Sequence, residues 1–325
     1  MRNDGSGTRR LRCSIVIRAY NEERHIGRLL EGISRQTIQE TEVVLVDSGS
    51  TDATLAIASR YPVRVARIEP DEFTFGRSLN LGCSQAMADL IVIASAHVYP
   101  VYPDWLGCLL RPFSDDKVAL VYGKQRGGET SKFSEHQIFY QWFPDVDAPR
   151  QPSPFCNNAN AAIRKSLWEG HPYDETLTGL EDLAWAHWAR GQGWEVAYAA
   201  HAEIVHAHNE TPRAVYNRYR REGMAFKQIF PESHFNVYDF ARLTVTNILS
   251  DLHHAARSRR LGRNLASIFW FRTAQFWGTY QGYRHSSAVT QHLRQTFYYP
   301  RGMDARQSDE RNVEPIHYNQ DFRLK

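Results

Sequence analysis

Two short apolar runs near the start of the chain do most to limit what it can fold into. Cys13-Ser-Ile-Val-Ile17 and Val43-Val-Leu-Val46 are too short for helices and rich in β-branched residues. Each ends in a polar turn, Arg18-Ala-Tyr-Asn-Glu22 after the first and Asp47-Ser-Gly-Ser-Thr-Asp52 after the second. Helical spacing follows both turns. Ile26, Leu29, Leu30 and Ile33 share one face of a helix entered at Glu22 with Asn21 as its N-cap, and Thr51 to Ser59 form the next helix. Continuous apolar strands alternating with helices give a mostly parallel α/β sheet covered on both faces. The polar strand ends of such a sheet gather at one edge, where ligands bind.

The alternation continues through a strand at Val63 to Ile68, a helix at Gly76 to Ala88 and an apolar strand at Leu90 to Ala94. After Pro103 the spacing predicts a helix over Trp105 to Leu110 and a strand over Val118 to Tyr122. Residues 123–155 are polar and contain prolines, so a long loop is expected there. Asn157 to Ile163 returns to the sheet, Gly179 to Arg190 is helical and Glu195 to Ala199 is a strand. From Pro212 the chain reads as helices broken near Pro231 and at Leu261-Gly262. The expected organisation is a tail over 1–11, an α/β domain over 12–212 with halves meeting near residue 100, a helical region over 213–300, and a loose polar tail over 301–325.

At 325 residues and 42% hydrophobic, the chain can bury a sizeable core and is not disordered. A net charge of +3 is too mild to call for nucleic acid. Four scattered cysteines with no Cys-x-x-Cys pair suggest neither a zinc ribbon nor a disulfide framework, and they fit a reducing, cytoplasmic compartment. Neither a signal peptide nor a transmembrane helix is expected. Charge is concentrated instead. Residues 213–301 hold fourteen Lys and Arg against four Asp and Glu, among Phe269, Trp270, Phe271, Phe276, Trp277, Tyr280 and Tyr283. That pattern suits an anionic membrane, such as the inner face of the plasma membrane, or a diphosphate-lipid acceptor. A solvated basic face or a homodimer contact accounts for it equally.

Several polar clusters could carry chemistry. Asp47 at a strand end can accept from a base N–H or a ribose hydroxyl, or it caps its own turn. Ser95-Ala-His97 ends the fourth strand. In Glu203-Ile-Val-His-Ala-His208, an extended backbone turns His206 and His208 to one face. Glu181-Asp182 begins a helix, where the carboxylates either complement its dipole or abstract a proton. Asn157, Asn158 and Asn160 are amides able to read sugar hydroxyls, or they form a turn. Gly123-Lys-Gln-Arg-Gly-Gly128 lacks the Gly-Lys-Ser/Thr order of a phosphate-binding loop.

Several of these clusters fall in a recognisable order. Ala19-Tyr-Asn-Glu22 and Val46-Asp-Ser-Gly-Ser-Thr-Asp52 are followed by Phe75-Gly-Arg-Ser-Leu-Asn-Leu-Gly82, Pro103-Asp-Trp-Leu106, Asn157-Asn-Ala-Asn-Ala-Ala-Ile-Arg164 and Tyr173 to Asp182. Over about residues 12–210 the chain resembles the family 2 glycosyltransferases of GT-A fold. The resemblance implies a nucleotide-sugar donor, taken here as UDP- or dTDP-linked, and a glycan or lipid-linked acceptor hydroxyl. It implies that Ala19, Tyr20, Glu22 and Asp47 hold the nucleoside and that Arg77 lies near the diphosphate. Asp182 would be the catalytic base, with Glu181 orienting it, and transfer would proceed with inversion. Surface polysaccharide or glycolipid synthesis is the implied setting.

One departure stands out: Ser95-Ala-His97 occupies the place of the family's metal-binding Asp-x-Asp. His97 then either ligates a divalent cation or hydrogen-bonds a phosphate. The family's further ligand from a C-terminal histidine points to His206 first and His208 second. Imidazole donors favour Mn²⁺ over Mg²⁺. A metal-independent transferase and a non-catalytic glycan- or nucleotide-binding protein are the alternatives. A nucleotidyltransferase is disfavoured, because Arg18-Ala-Tyr-Asn stands where its Gly-rich basic loop would be.

Overall fold

The apolar runs become the centre of one eight-stranded sheet in the computed structural model, which describes residues 11–284 and 313–318. The first half alternates as the spacing predicts: β1 (Cys13–Ala19), α1 (Ile26–Ser34), β2 (Thr41–Asp47), α2 (Thr54–Ala58), β3 (Val63–Arg67), α3 (Phe75–Ser84) and β4 (Leu90–Ser95). Then come β5 (Val98–Pro100), α4 (Trp105–Leu110), β6 (Val118–Gly127), α5 (Phe133–Trp142), β7 (Asn160–Arg164), α6 (Lys165–Gly170), α7 (Glu181–Gly191) and β8 (Glu195–His206). Three long helices follow, α8 (Pro212–Ile229), α9 (Val237–Arg257) and α10 (Leu261–Arg284).

The strand order is β3-β2-β1-β4-β7-β6-β8-β5. The first four strands are parallel, β7 is antiparallel to both its neighbours, and β8 runs parallel to β6. Alternate residues of each strand enter opposite cores. Ile15 and Ile17 pack on one face with Leu29 and Leu30 of α1, while Val16 packs on the other with Leu79 and Cys83 of α3. Burial on both faces is why these strands read as unbroken apolar runs. The parallel register sets Ala19 beside Asp47 and Arg18 beside Ser95, so three strand ends meet at one edge.

Several local expectations are corrected. Asn21 is not a helix cap: α1 begins at Ile26, and Asn21 lies in the left-handed region at φ 53°. Its Oδ1 accepts from the Thr51 amide at 2.8 Å, which ties the first two turns together. Residues 123–155 are not one loop, since β6 continues to Gly127 and α5 follows it. The end of the chain is not wholly loose either. Ile316 N–H donates to Val101 O at 3.0 Å, and the Tyr318 hydroxyl donates to Pro100 O at 2.7 Å. The rest of 301–325 and the tail over 1–10 lie outside the described residues.

The C-terminal helices are part of the same body. At Gly278, Gly282 and Gly223 the backbones of α8 and α10 approach so closely that a Cβ at Gly282 would lie 2.3 Å from Arg220 O. A buried ion pair ties α10 to α9. Arg272 donates to both Asp251 oxygens, at 2.7 and 2.9 Å, and both residues are nearly inaccessible. Asp251→Ala strands that guanidinium without its counter-charge and should cost about 3–5 kcal/mol of unfolding free energy. Urea denaturation measures it. Replacing the pair with Leu and Met together should recover most of the loss; no recovery would mean the pair is not the cause.

Candidate active site

A cleft of about 810 Å³ opens at the edge where the strand ends meet, a volume suited to a small-molecule ligand. Its walls are the turn after β1 (Ala19 to His25), Ser48 to Asp52, Ser95 and His97, Asn157 to Ala159, Gly179 to Asp182, and His206 to Glu210. One face of α8, through Ala214, Asn217, Arg218, Arg221 and Glu222, closes the far side. The sequence placed α8 outside the α/β domain, yet it is a wall of the cleft.

Of the residues expected at the site, Ala19, Tyr20, Glu22, Ser95, His97, Asn157, Asn158, Glu181, Asp182, His206 and His208 all line this cleft. Asp47 lies just behind it and is 2% exposed. Its Oδ2 accepts from the Gly49 and Ser50 amides, both at 3.1 Å, so one carboxylate oxygen shapes the turn. Its Oδ1 is buried without a hydrogen-bond partner among the described residues. Two expectations are corrected. Arg77 is not a wall of the cleft; its exposed guanidinium pairs with Glu72 at 3.1 Å. Asn160 is fully buried and takes no part in the cleft surface. It accepts from the Trp105 indole and donates to the carbonyls of Lys124 and Ala202, which joins α4, β6 and β8.

The three histidines converge because β5 pairs antiparallel with β8. Val98 sits opposite His206, and Ala207 N–H donates to His97 O at 2.9 Å. The rings of His97 and His206 stack at 5.1 Å, and His206 and His208 lie 4.0 Å apart. Each Nδ1 already has a partner: Glu22 Oε1 at 2.7 Å for His97, Gln125 Oε1 at 2.8 Å for His206, and Glu135 Oε1 at 2.8 Å for His208. A carboxylate only accepts, so Nδ1 of His97 and of His208 must carry the proton, and the Gln125 oxygen asks the same of His206. That leaves the three Nε2 atoms, of which that of His97 lies 3.2 Å from the Ser95 hydroxyl. His206 Nε2 is buried with no hydrogen-bond partner among the described residues, and one ring nitrogen from each of the trio lies within 4.8 Å of the others. Burial, followed by His208 and His97, holds the His206 pKa well below the usual imidazole value, so its ring is neutral. Burial disfavours a charged His97 ring, but Glu22 outweighs it and raises the His97 pKa, so a cation there competes with a proton. Imidazoles fixed through Nδ1 are a donor set that fits a divalent transition ion.

Glu135, His208 and Glu210 also cluster, but Arg218 lies on both carboxylates. Burial alone would raise the Glu135 pKa, whereas His208 and then Arg218 bring it down to about 2. Arg218 offsets one of these two negative charges, and Glu135 holds His208 in place.

The carboxylate pair begins α7. Leu180 before it takes the left-handed conformation at φ 58°, a local cost of about 1 kcal/mol that turns both acids into the cleft. Glu181 pairs with Arg18 at 3.2 Å. Asp182 accepts from the Asn158 amide through Oδ2 and from the Leu183 amide through Oδ1, each at 2.8 Å. Burial, and then the charge of Glu181, raise the Asp182 pKa to about 7. Two adjacent carboxylates thus differ: Glu181 is matched by a guanidinium, and Asp182 is poised to exchange a proton near neutrality.

Arg18, Gln125, Glu135 and Arg218 are the residues of the site that the sequence did not single out. Arg18 also lies over the Phe75 ring, 5.0 Å from its centroid, and Arg221 lies 4.6 Å from the same centroid.

The mostly parallel sheet, its flanking helices and the cleft across its polar strand ends have the GT-A fold, and this chain is a glycosyltransferase. Residues 14–170 match the family model for glycosyl transferase family 2. Among curated proteins it is similar to the O-antigen chain rhamnosyltransferase RfbN of Salmonella typhimurium, 28% identical over 66% of this chain and 72% of that protein. It is also similar to the O-antigen chain rhamnosyltransferase WbaN of Salmonella anatum, 30% identical over 58% of this chain and 64% of that one. Among solved structures, the mannosyltransferase PcManGT from Pyrobaculum calidifontis, in complex with GDP-Man and Mn²⁺, shares the fold. Its TM-score is 0.55 at 20% identity, covering 89% of this chain and 87% of that one.

Proposed function

We propose that the chain transfers a sugar, with inversion, from a UDP- or dTDP-linked donor to a hydroxyl of a growing surface glycan or lipid-linked glycan. The observation that carries this reading is the pairing of a buried, high-pKa Asp182 with three histidines, each held through Nδ1, whose ring nitrogens lie close enough together to share a cation. The resemblance of both curated relatives to this chain, as O-antigen chain rhamnosyltransferases, supports the surface-glycan setting.

Tyr20 and the strand ends at Ala19 and Asp47 would receive the nucleoside, leaving the diphosphate toward Ser95 and His97. His97, His206 and His208 would hold a divalent ion, with Mn²⁺ favoured over Mg²⁺ because the donors are nitrogens. Such an ion, when bound, neutralises charge growing on the departing nucleotide diphosphate. Asp182 takes the proton of the acceptor hydroxyl as its oxygen attacks the anomeric carbon from the face opposite the leaving group. Glu181, fixed by Arg18, keeps negative charge beside Asp182 and so keeps it basic. Asn157 and Asn158 line the same wall, within reach of sugar hydroxyls. The chemistry would take place on the cytoplasmic side of the membrane.

Calorimetric titration with UDP, dTDP and GDP, each with and without Mn²⁺, tests the reading. Tight binding of a pyrimidine nucleotide only with metal is expected. Equal binding without metal would remove the ion from the mechanism, and preference for GDP would overturn the proposed donor class. The anomeric configuration of the product, read by NMR, decides inversion.

A further inference from the structure

The hairpin of α9 and α10 carries a surface that catalysis does not use. The two helices are antiparallel: Phe240 meets Trp277, Asp251 meets Arg272, and Ala255 shares a cluster with Ile268. Their connection forms a projecting tip over residues 257–265. Arg257, Arg259, Arg260 and Arg263 are exposed there, and so are Leu261 and Leu265. Arg259 takes a left-handed conformation at φ 55°, which turns the chain sharply between the helices. Phe269 continues the exposed apolar side one turn further, at 48% exposure.

The charge is one-sided. From residue 237 to 284 the only carboxylates are Asp239 and Asp251. Asp239 closes the capping box at the start of α9, at the opposite end from the tip, and Asp251 is buried on Arg272. No exposed carboxylate on the hairpin therefore offsets the four tip arginines. Leu261, Leu265 and Phe269 recur every fourth residue, so these exposed apolar side chains form one stripe along α10, bordered at the tip by the arginines. Arginines at headgroup level with short apolar side chains beneath them is how a surface helix enters an anionic bilayer. No helix of the described residues is long and apolar enough to cross a membrane, so the contact would be peripheral. The tip belongs to the helices braced on α8, and α8 is a wall of the cleft.

We infer that the α9–α10 tip docks this protein on an anionic lipid bilayer, with the arginines on lipid phosphates and Leu261, Leu265 and Phe269 entering the acyl boundary. This contact fixes how the cleft is presented to a membrane-held acceptor. It does not depend on the transferase reading, because vesicle binding is measured without turnover.

The test is co-sedimentation of the full chain with vesicles of phosphatidylcholine alone or mixed with phosphatidylglycerol, at low and high salt. Binding only to the anionic vesicles, weakened by salt, is expected. Arg259→Glu with Arg263→Glu should lower partitioning at least about tenfold. Leu265→Ser with Phe269→Ser should weaken it while leaving its salt dependence in place. Arg150→Glu, on an exposed arginine outside these helices, should change little, and circular dichroism checks that each variant folds. Equal binding to neutral vesicles, no binding, or an arginine variant that binds like the parent would overturn the inference. A concentration-dependent dimer lost in the Leu265/Phe269 variant, without vesicle binding, would assign the tip to a second copy of the chain instead.

Discussion

Asp182→Asn is expected to lower turnover by about a hundred- to ten-thousand-fold while leaving nucleotide affinity within a few-fold of the parent. The asymmetry follows from where the residue sits. Asp182 lies at the start of α7, held by two backbone amides, and it is separate in sequence from the β1 and β2 turns that would receive the nucleoside. An asparagine keeps the shape and the hydrogen bond to one amide, but it cannot accept a proton from an attacking hydroxyl. The pH profile follows from the raised pKa. Only ionised Asp182 acts as a base, so kcat/KM should fall as pH drops through about 7, rather than near the usual carboxylate range. Arg18 is the control. It lowers the Asp182 pKa and pairs with Glu181, so Arg18→Gln should move the acid limb to higher pH without abolishing activity. Steady-state rates across pH 5 to 9 for the three proteins decide the matter; an Asp182→Asn enzyme with near-parental turnover would remove this residue from the proton-transfer step.

Strands β1, β2 and β4 are legible because strands buried on both faces must be largely apolar, whereas the edge strand β3 shows itself only by Val and Ala interspersed with Arg. The polar turns after β1 and β2 were legible for the complementary reason: they leave the core at one edge. Helix α5 was not legible, because its buried positions mix Ser134 and Glu135 with Ile138 and Phe139, and helical periodicity reads only the apolar ones. Glu135 is buried to serve His208, a partner 73 residues away, so no local pattern records it. The same holds for Arg18 with Glu181 and for Gln125 with His206. The apolar run of β8 predicts the strand only as far as Ala199, because its second half alternates buried with partly or fully exposed residues, whereas its first half is nearly all buried. Asn160 differs from its neighbours Asn157 and Asn158 in a way no local pattern records: it satisfies buried carbonyls, and three hydrogen bonds hold it there. Arg77 failed for a related reason, since spacing places it on α3 but does not say which way that side of the helix faces.

His206→Ala should abolish specific Mn²⁺ binding, with a loss larger than about a hundredfold, because removing only an outer partner of a ligating histidine typically costs ten- to a hundredfold. His206 is the most buried of the three rings, and burial keeps it neutral, so its lone pair requires no deprotonation to meet a cation. Its Nε2 has no hydrogen-bond partner among the described residues, and burying an imidazole nitrogen unpaired has a cost that a ligand would remove. Gln125→Leu should produce a graded version of the same defect, about ten- to a hundredfold weaker binding, because His206 would lose the acceptor that fixes its tautomer and ring orientation. The measurement is calorimetry with Mn²⁺, supported by the visible absorption of Co²⁺ in the same site, both without donor or acceptor. Ordering the proteins as parent, Gln125→Leu and His206→Ala by falling affinity is the outcome that three nitrogen donors require. If His206→Ala binds Mn²⁺ like the parent, the trio is not a metal site, and Ser95 and His97 are left to meet the diphosphate by hydrogen bonds alone.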